Sequence, residues 1–205
     1  MKLSWANRIT VVRILLIAPF ISCILKVNDP QLGDSMRYAA LVIFLFIAVG
    51  DVIDGYIARR KKQITKLGSF LDPMADKLLM ACACLLLASE HSAVAGFRLP
   101  PTVVVLIIGK DMFLLLGFIV VYFTTFRVRI EPAAIGKLAT TLQLSMVTAI
   151  LIGPEVSSVI PGWIWLARTL WWSAAGTAII ATLIYICNGI RYIEEFEQDI
   201  ANRQS

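Results

Sequence analysis

Four aspartates carry the strongest chemical signal in this chain. They stand in the run Asp51-Val-Ile-Asp54-Gly55-Tyr-Ile-Ala58-Arg59, followed after eight residues by Gly68-Ser-Phe-Leu-Asp72-Pro-Met-Ala-Asp76. On a helix, Asp51 and Asp54 share a face with Gly55 and Ala58, and Asp72 and Asp76 share a face of the next helix. Both pairs abut apolar runs, where inserting a carboxylate costs about 2.5–3.5 kcal/mol. A hard divalent cation such as Mg2+ is the simplest common reason, because its partners are carboxylates and substrate phosphates. Two such ions about 3.5–4 Å apart can clamp the attacking and leaving oxygens of a phosphoryl displacement. Gly55 and Ala58 leave room for a flat or charged ligand to approach the helix. Gly68 opens the second helix, where free N–H groups favour an anion. Arg59 offers a forked, permanently charged partner for a phosphate.

The elements that position these residues must form in an apolar medium. Hydrophobic residues make up 59% of the 205 and charged ones 16%, with a mean hydropathy of +0.79. A soluble domain is typically about 45–50% apolar and about 25% charged, so the composition calls for a bilayer. Six stretches reach the roughly 20 apolar residues that a crossing needs. They lie near 9–26, 36–58, 70–89, 101–124, 135–153 and 163–189. The expected fold is an all-α integral membrane protein, with six transmembrane helices in a single bundle and one domain over residues 1–205. The last stretch is too long for one crossing and is expected to begin with an interfacial turn around Trp163 and Trp165. Pro73 suits a first helical turn, which would put Asp72 at the N-cap and Asp76 one turn later.

The net charge is +5, and Lys and Arg crowd onto one side of that topology. Lys2, Arg8, Arg59, Arg60, Lys61, Lys62, Lys66, Arg127, Arg129, Lys137, Arg191 and Arg203 stand against Lys26, Arg37, Arg98 and Arg168. By this bias both termini and the aspartates face the cytoplasm. Basic residues spread over loops suit topology and anionic lipid rather than nucleic acid. Cys23, Cys82, Cys84 and Cys187 fall inside the spans and read as small apolar residues. His91 lies in the loop across the membrane from the aspartates, and Trp163, Trp165, Trp171 and Trp172 form an interfacial belt. With no cleavage site or transit peptide evident, a bacterial inner membrane is the expected setting.

The spacing D-x2-D-G-x2-A-R-x8-G-x3-D-x3-D, matched without a gap or substitution, is similar to the signature of the CDP-alcohol phosphatidyltransferase family. The resemblance extends over the whole chain, since that family comprises small membrane enzymes with six transmembrane helices. It implies that Asp51, Asp54, Asp72 and Asp76 line a site for Mg2+ or Mn2+, with two ions. It also implies that Asp76 acts as the general base on an acceptor hydroxyl. Gly55, Ala58 and Gly68 would make space for the cytidine nucleotide, and Arg59 would hold a phosphate of the CDP group. The donor would be CDP-diacylglycerol, CMP would be released, and the enzyme would be a homodimer.

The acceptor side is carried by other charges. Asn7, Thr10 and Arg13 lie three apart on one face of the first helix. This entry resembles the branches of the family whose acceptor is glycerol 3-phosphate or phosphatidylglycerol. Arg13, inside an apolar run, calls for an anionic partner, either a motif aspartate or a substrate phosphate, unless it snorkels to the interface. Lys110 and Asp111 interrupt the fourth apolar stretch, and Lys137 follows Gly136 at the head of the fifth. Lys110 and Lys137, with Arg13, are the expected acceptor-binding cations. Gly109-Lys110-Asp111 departs from the Gly-Arg-Glu of many related sites, keeping the charge signs but losing reach and fork geometry. Lys77 is read as an interfacial anchor. Glycerol 3-phosphate is the first expected acceptor and phosphatidylglycerol, giving cardiolipin, the second. A reading of another class, a divalent-cation transporter, leaves Arg59 and Gly68 without a use.

Overall fold

The computed structural model of the chain describes residues 5–61, 66–125 and 134–204, with the backbone alone described at 5–10, 51–61, 66–74 and several positions beyond 117. Among these residues the protein is all helix, without a strand. The elements are α1 (Trp5–Leu25), α2 (Gly33–Lys61), α3 (Lys66–Ala88), α4 (Pro101–Thr125), α5 (Ala134–Leu151), α6 (Gly153–Val159) and α7 (Trp163–Gln204). Long apolar runs take this form because only a helix satisfies each backbone polar group within its own segment where water is absent.

α1 packs on α2 and α3, while α4 and α5 both pack on α7, and contacts of α2 with α5 and of α3 with α4 join the two groups. The interior is filled by Phe20, Ile24, Phe44, Ile47, Leu87, Ile107, Met146 and Ile150. Outward faces are equally apolar: Leu15, Val42, Phe46, Val105 and Phe113 are each at least 60% exposed. A soluble protein rarely leaves so continuous an apolar exterior, whereas lipid makes it the stable arrangement.

Two helices contain windows long and apolar enough to cross a membrane among the described residues, Gly33–Gly50 in α2 and Trp163–Arg191 in α7. A third is reached if Ile135–Leu151 and Gly153–Val159, bent by 71° at their break, count together.

The connections explain where helices stop. Asp29 turns the chain from α1 into α2, its Oδ1 accepting the N–H groups of Gln31 (2.9 Å) and Leu32 (3.1 Å). These two bonds hold the Asp29 carboxyl below its usual value. Gly33 is required there, because a Cβ would lie 2.4 Å from the Val27 carbonyl oxygen. Farther along, Arg37 is buried and draws α2 onto the end of α5 and onto α6. It donates to the Leu151 carbonyl (2.9 Å) and to Glu155 Oε2 (2.5 Å), and it pairs with Asp34.

Several expectations are corrected. α3 is already helical at Lys66, ahead of the start expected near residue 70, so Asp72 lies inside the helix and not at its N-cap. The apolar count began the helix late, because Lys66 to Ser69 add about one helical turn in which only Leu67 is apolar. The fifth stretch ends at Leu151, and Pro154, near the start of the separate α6, cannot continue the ladder. The sixth stretch is one unbroken helix of 42 residues, and its turn falls earlier, at Gly162 with φ +97. The tryptophan belt is thinner than expected: Trp165 and Trp172 are exposed, whereas Trp171 is buried and Trp163 donates to the Ala149 carbonyl (3.1 Å).

Candidate active site

α2 runs without a break through residue 61, which confirms that Asp51, Asp54, Gly55, Ala58 and Arg59 occupy one helix. α3 holds Gly68 and carries Asp72 and Asp76 one turn apart. The side chains of Asp51, Asp54, Gly55, Ala58, Arg59, Gly68 and Asp72 lie outside the described residues. Asp76 is described, and it stands about midway along α3.

Arg13, midway along α1 and only 3% exposed, donates from its guanidinium to Asp76 Oδ1. Of the partners the sequence left open, Arg13 meets a motif aspartate here, and it does not snorkel to the interface. A guanidinium buried in an apolar bundle needs an anion of fixed geometry, and Asp76 supplies one. The Asp76 side chain keeps 40% of its surface exposed, so the carboxylate stands at the edge of an accessible space.

The next residue of α3 begins a second pair. Successive helical residues diverge by 100°, so Asp76 faces α1 while Lys77 faces α4. Lys77 Nζ lies 2.7 Å from Asp111 Oδ1, and Lys110 Nζ lies 3.2 Å from the same oxygen. Lys77 is therefore not an interfacial anchor but half of a bond between helices. Lys110 is buried beside Asp111, and α4 continues through both without interruption. From α1 through α3 to α4 the charges alternate: Arg13, Asp76, Lys77, Asp111, Lys110. Sequence spacing does not reveal the Lys77–Asp111 pair, because it depends on which helix packs against which face.

Gln143 of α5 is a further polar residue that the sequence reading passed over. It is 2% exposed, and its amide nitrogen has no acceptor among the described residues. A lone Gln inside an apolar stretch was the available signal. Lys137, in the first turn of α5, is exposed and has no ion pair among the described residues. The neighbouring Gly136 lies against Tyr185 of α7, so close that a Cβ would stand 2.6 Å from the phenol oxygen.

No three carboxylate, histidine or cysteine side chains gather to hold a metal among the described residues, which include one of the four aspartates. The donor set nonetheless fits a hard cation. All four candidate ligands are carboxylates, Asp51 and Asp54 are three apart on α2, and Asp72 and Asp76 are four apart on α3.

An apolar-surfaced helical bundle with paired charges inside it defines an integral membrane protein built around a polar site. The chain belongs to the CDP-alcohol phosphatidyltransferase family, whose pattern matches residues 3–186. It is 46% identical over 106 residues to the CDP-diacylglycerol--glycerol-3-phosphate 3-phosphatidyltransferase of Pseudomonas fluorescens, covering 52% of this chain and 50% of that protein. The protein of the same name from Bacillus subtilis is 33% identical over 153 residues, covering 71% of this chain and 75% of that one. A protein of Drosophila melanogaster named probable cardiolipin synthase (CMP-forming) is 30% identical over 202 residues, 89% of this chain and 56% of that protein. The chain thus spans about half the length of two of these relatives.

Proposed function

We propose that this chain transfers the phosphatidyl group of CDP-diacylglycerol to glycerol 3-phosphate, releasing CMP and forming phosphatidylglycerophosphate. The observation that carries this reading is the Arg13–Asp76 pair. It places the last aspartate of the family signature in contact with the arginine of the Asn7-Thr10-Arg13 face. The acceptor hydroxyl attacks the lipid-linked phosphorus, the bond from that phosphorus to the CMP oxygen breaks, and Asp76 takes the hydroxyl proton. Arg13 orients the carboxylate for this task, and a proton arriving on Asp76 loosens its hold.

Asp51, Asp54, Asp72 and Asp76 would hold two Mg2+ or Mn2+ ions. When bound, these would neutralise the diphosphate and its leaving oxygen. Gly55, Ala58 and Gly68 admit the cytidine nucleotide, and Arg59 takes a phosphate of CDP. Lys110 and Lys137 are the cations available to the acceptor phosphate, and Lys110 must share itself with Asp111 to serve it.

The reading includes one domain over residues 1–205 and six membrane crossings by α1 to α5 and α7, with α6 lying at the surface. It further includes a bacterial inner membrane, a cytoplasmic site and a homodimer. Phosphatidylglycerol is the second acceptor, favoured by the likeness to the Drosophila protein over 89% of the chain. Purified protein given CDP-diacylglycerol and Mg2+ or Mn2+ should release CMP with glycerol 3-phosphate and not with phosphatidylglycerol. Release with phosphatidylglycerol alone would transfer the assignment to cardiolipin synthesis, and an Asp76→Asn protein as active as wild type would remove the base.

A further inference from the structure

Along α3, the twelve helical steps from Asp76 to Ala88 span about 18 Å. Beyond that far end the loop before α4 and the first turns of α7 border an open, shallow pocket of about 520 Å³. Its lining is Gly96, Arg98, Pro100, Arg168, Trp171 and Trp172. Two arginines on one pocket repel each other unless an anion lies between them, and their charges are unequally answered.

Arg98 is fixed by the chain. Its Nε donates to the Ala88 carbonyl (2.9 Å) and its Nη1 pairs with Glu90 (2.8 Å), while Nη2 has no partner among the described residues. Arg168 has no carboxylate partner among the described residues. It rests instead over the exposed ring of Trp165, 5.1 Å from the centroid. The pocket therefore carries an unanswered positive charge and a guanidinium edge already oriented by the backbone. Trp171 is only 5% exposed, and its indole N–H finds no acceptor among the described residues. Gly96, at φ +77 with nothing within 4 Å of a Cβ position, leaves the loop side open.

We propose that this pocket binds a phosphate group, that of an anionic phospholipid in the leaflet at this end of the bundle. Arg98 and Arg168 grip the phosphate oxygens. The exposed rings of Trp165 and Trp172 lie at the depth where aromatic side chains meet head groups. Exposed Val105, on the first turns of α4, offers an apolar surface below it for acyl chains. The site is separate from the aspartates and does not depend on the acceptor assignment.

Phosphatidylserine is the suitable probe, being neither the proposed donor nor a proposed acceptor. Native mass spectrometry of full-length protein released from detergent would count the lipids retained. Wild type should hold phosphatidylserine roughly tenfold more tightly than Arg168→Gln, Arg168→Lys should recover part of the difference, and phosphatidylcholine should show less dependence on residue 168. CMP release by the Arg168→Gln protein at the wild-type rate would certify its fold. Equal retention by wild type and a folded Arg168→Gln would overturn the proposal. Displacement of the residue-168-dependent lipid by millimolar inorganic phosphate would keep the phosphate chemistry and overturn its assignment to lipid, whereas insensitivity supports lipid.

Discussion

Arg13 and Asp76, 63 residues apart in the chain, join α1 to α3 through one guanidinium–carboxylate contact inside the bundle. Removing one partner of a fully buried pair costs about 3–5 kcal/mol. Asp76 is partly exposed and can recruit water, so Arg13→Ala should destabilise by about 2 kcal/mol. Its effect on turnover should be larger, roughly 100-fold, because the proposed base loses its orientation. Arg13→Lys keeps the charge without the fork and should fall between the two. Thermal unfolding in detergent and CMP release, measured on the same samples, separate stability from catalysis. An Arg13→Ala protein as active as wild type would remove the pair from the site.

Lys77, Asp111 and Lys110 make a second, testable unit. Asp111 answers two cations at once, at 2.7 and 3.2 Å, and Lys110 is the more deeply buried of them. Asp111→Asn should therefore destabilise more than Lys77→Met, since it leaves a buried ammonium with no counter-charge. In a double-mutant cycle the two substitutions should couple by about 1 kcal/mol. Additive losses would mean that the 2.7 Å contact contributes nothing to holding α3 against α4.

These pairs also mark how far the sequence could be read. The helical class was legible because hydropathy integrates over many residues, and α4 starts at Pro101, where its apolar stretch was expected to start. The helical state of Lys66 to Ser69 was not, because only Leu67 among these four residues is apolar. The break at Leu151 was hidden for the opposite reason, as apolar residues continue past it and only Pro154 hints at the bend. Arg13 announced its need for an anion, since an unpaired guanidinium in an apolar run is costly. Lys77 announced nothing: at the apparent edge of a span an exposed lysine is ordinary, and its partner exists only through the packing of α3 on α4. The same holds for Trp171, whose sequence neighbours give no sign that its indole is buried while that of Trp172 is exposed.

The proposed metal set makes a distinct prediction about cation removal. Chelation should abolish CMP release, and either Mg2+ or Mn2+ should restore it. Asp51→Asn, Asp54→Asn and Asp72→Asn should each lose activity by roughly 100-fold or more, with unfolding temperatures near that of wild type in chelator. The readout that isolates metal is stabilisation by the ion. Mn2+ should raise the unfolding temperature of wild type and do so far less for the three variants, since a ligand bound only to the folded state stabilises it in proportion to its affinity. Equal stabilisation of all four proteins by Mn2+ would place the ion elsewhere.

Gly136 and Tyr185 offer a test of how α5 sits on α7. A Cβ at Gly136 would stand 2.6 Å from the phenol oxygen, while the next ring atom is 3.6 Å away. The clash is thus with the hydroxyl alone, the far end of a half-buried side chain that must shift to relieve it. Gly136→Ala should destabilise by about 1–3 kcal/mol through overpacking. Tyr185→Phe deletes the offending oxygen and leaves ordinary van der Waals contact, so in the double variant most of that loss should disappear. The sign of the coupling decides the matter. A Gly136→Ala loss that persists unchanged in the Tyr185→Phe background would mean that α5 approaches α7 by a different face. The position of Lys137, one residue along the same turn, would then have to be redrawn with it.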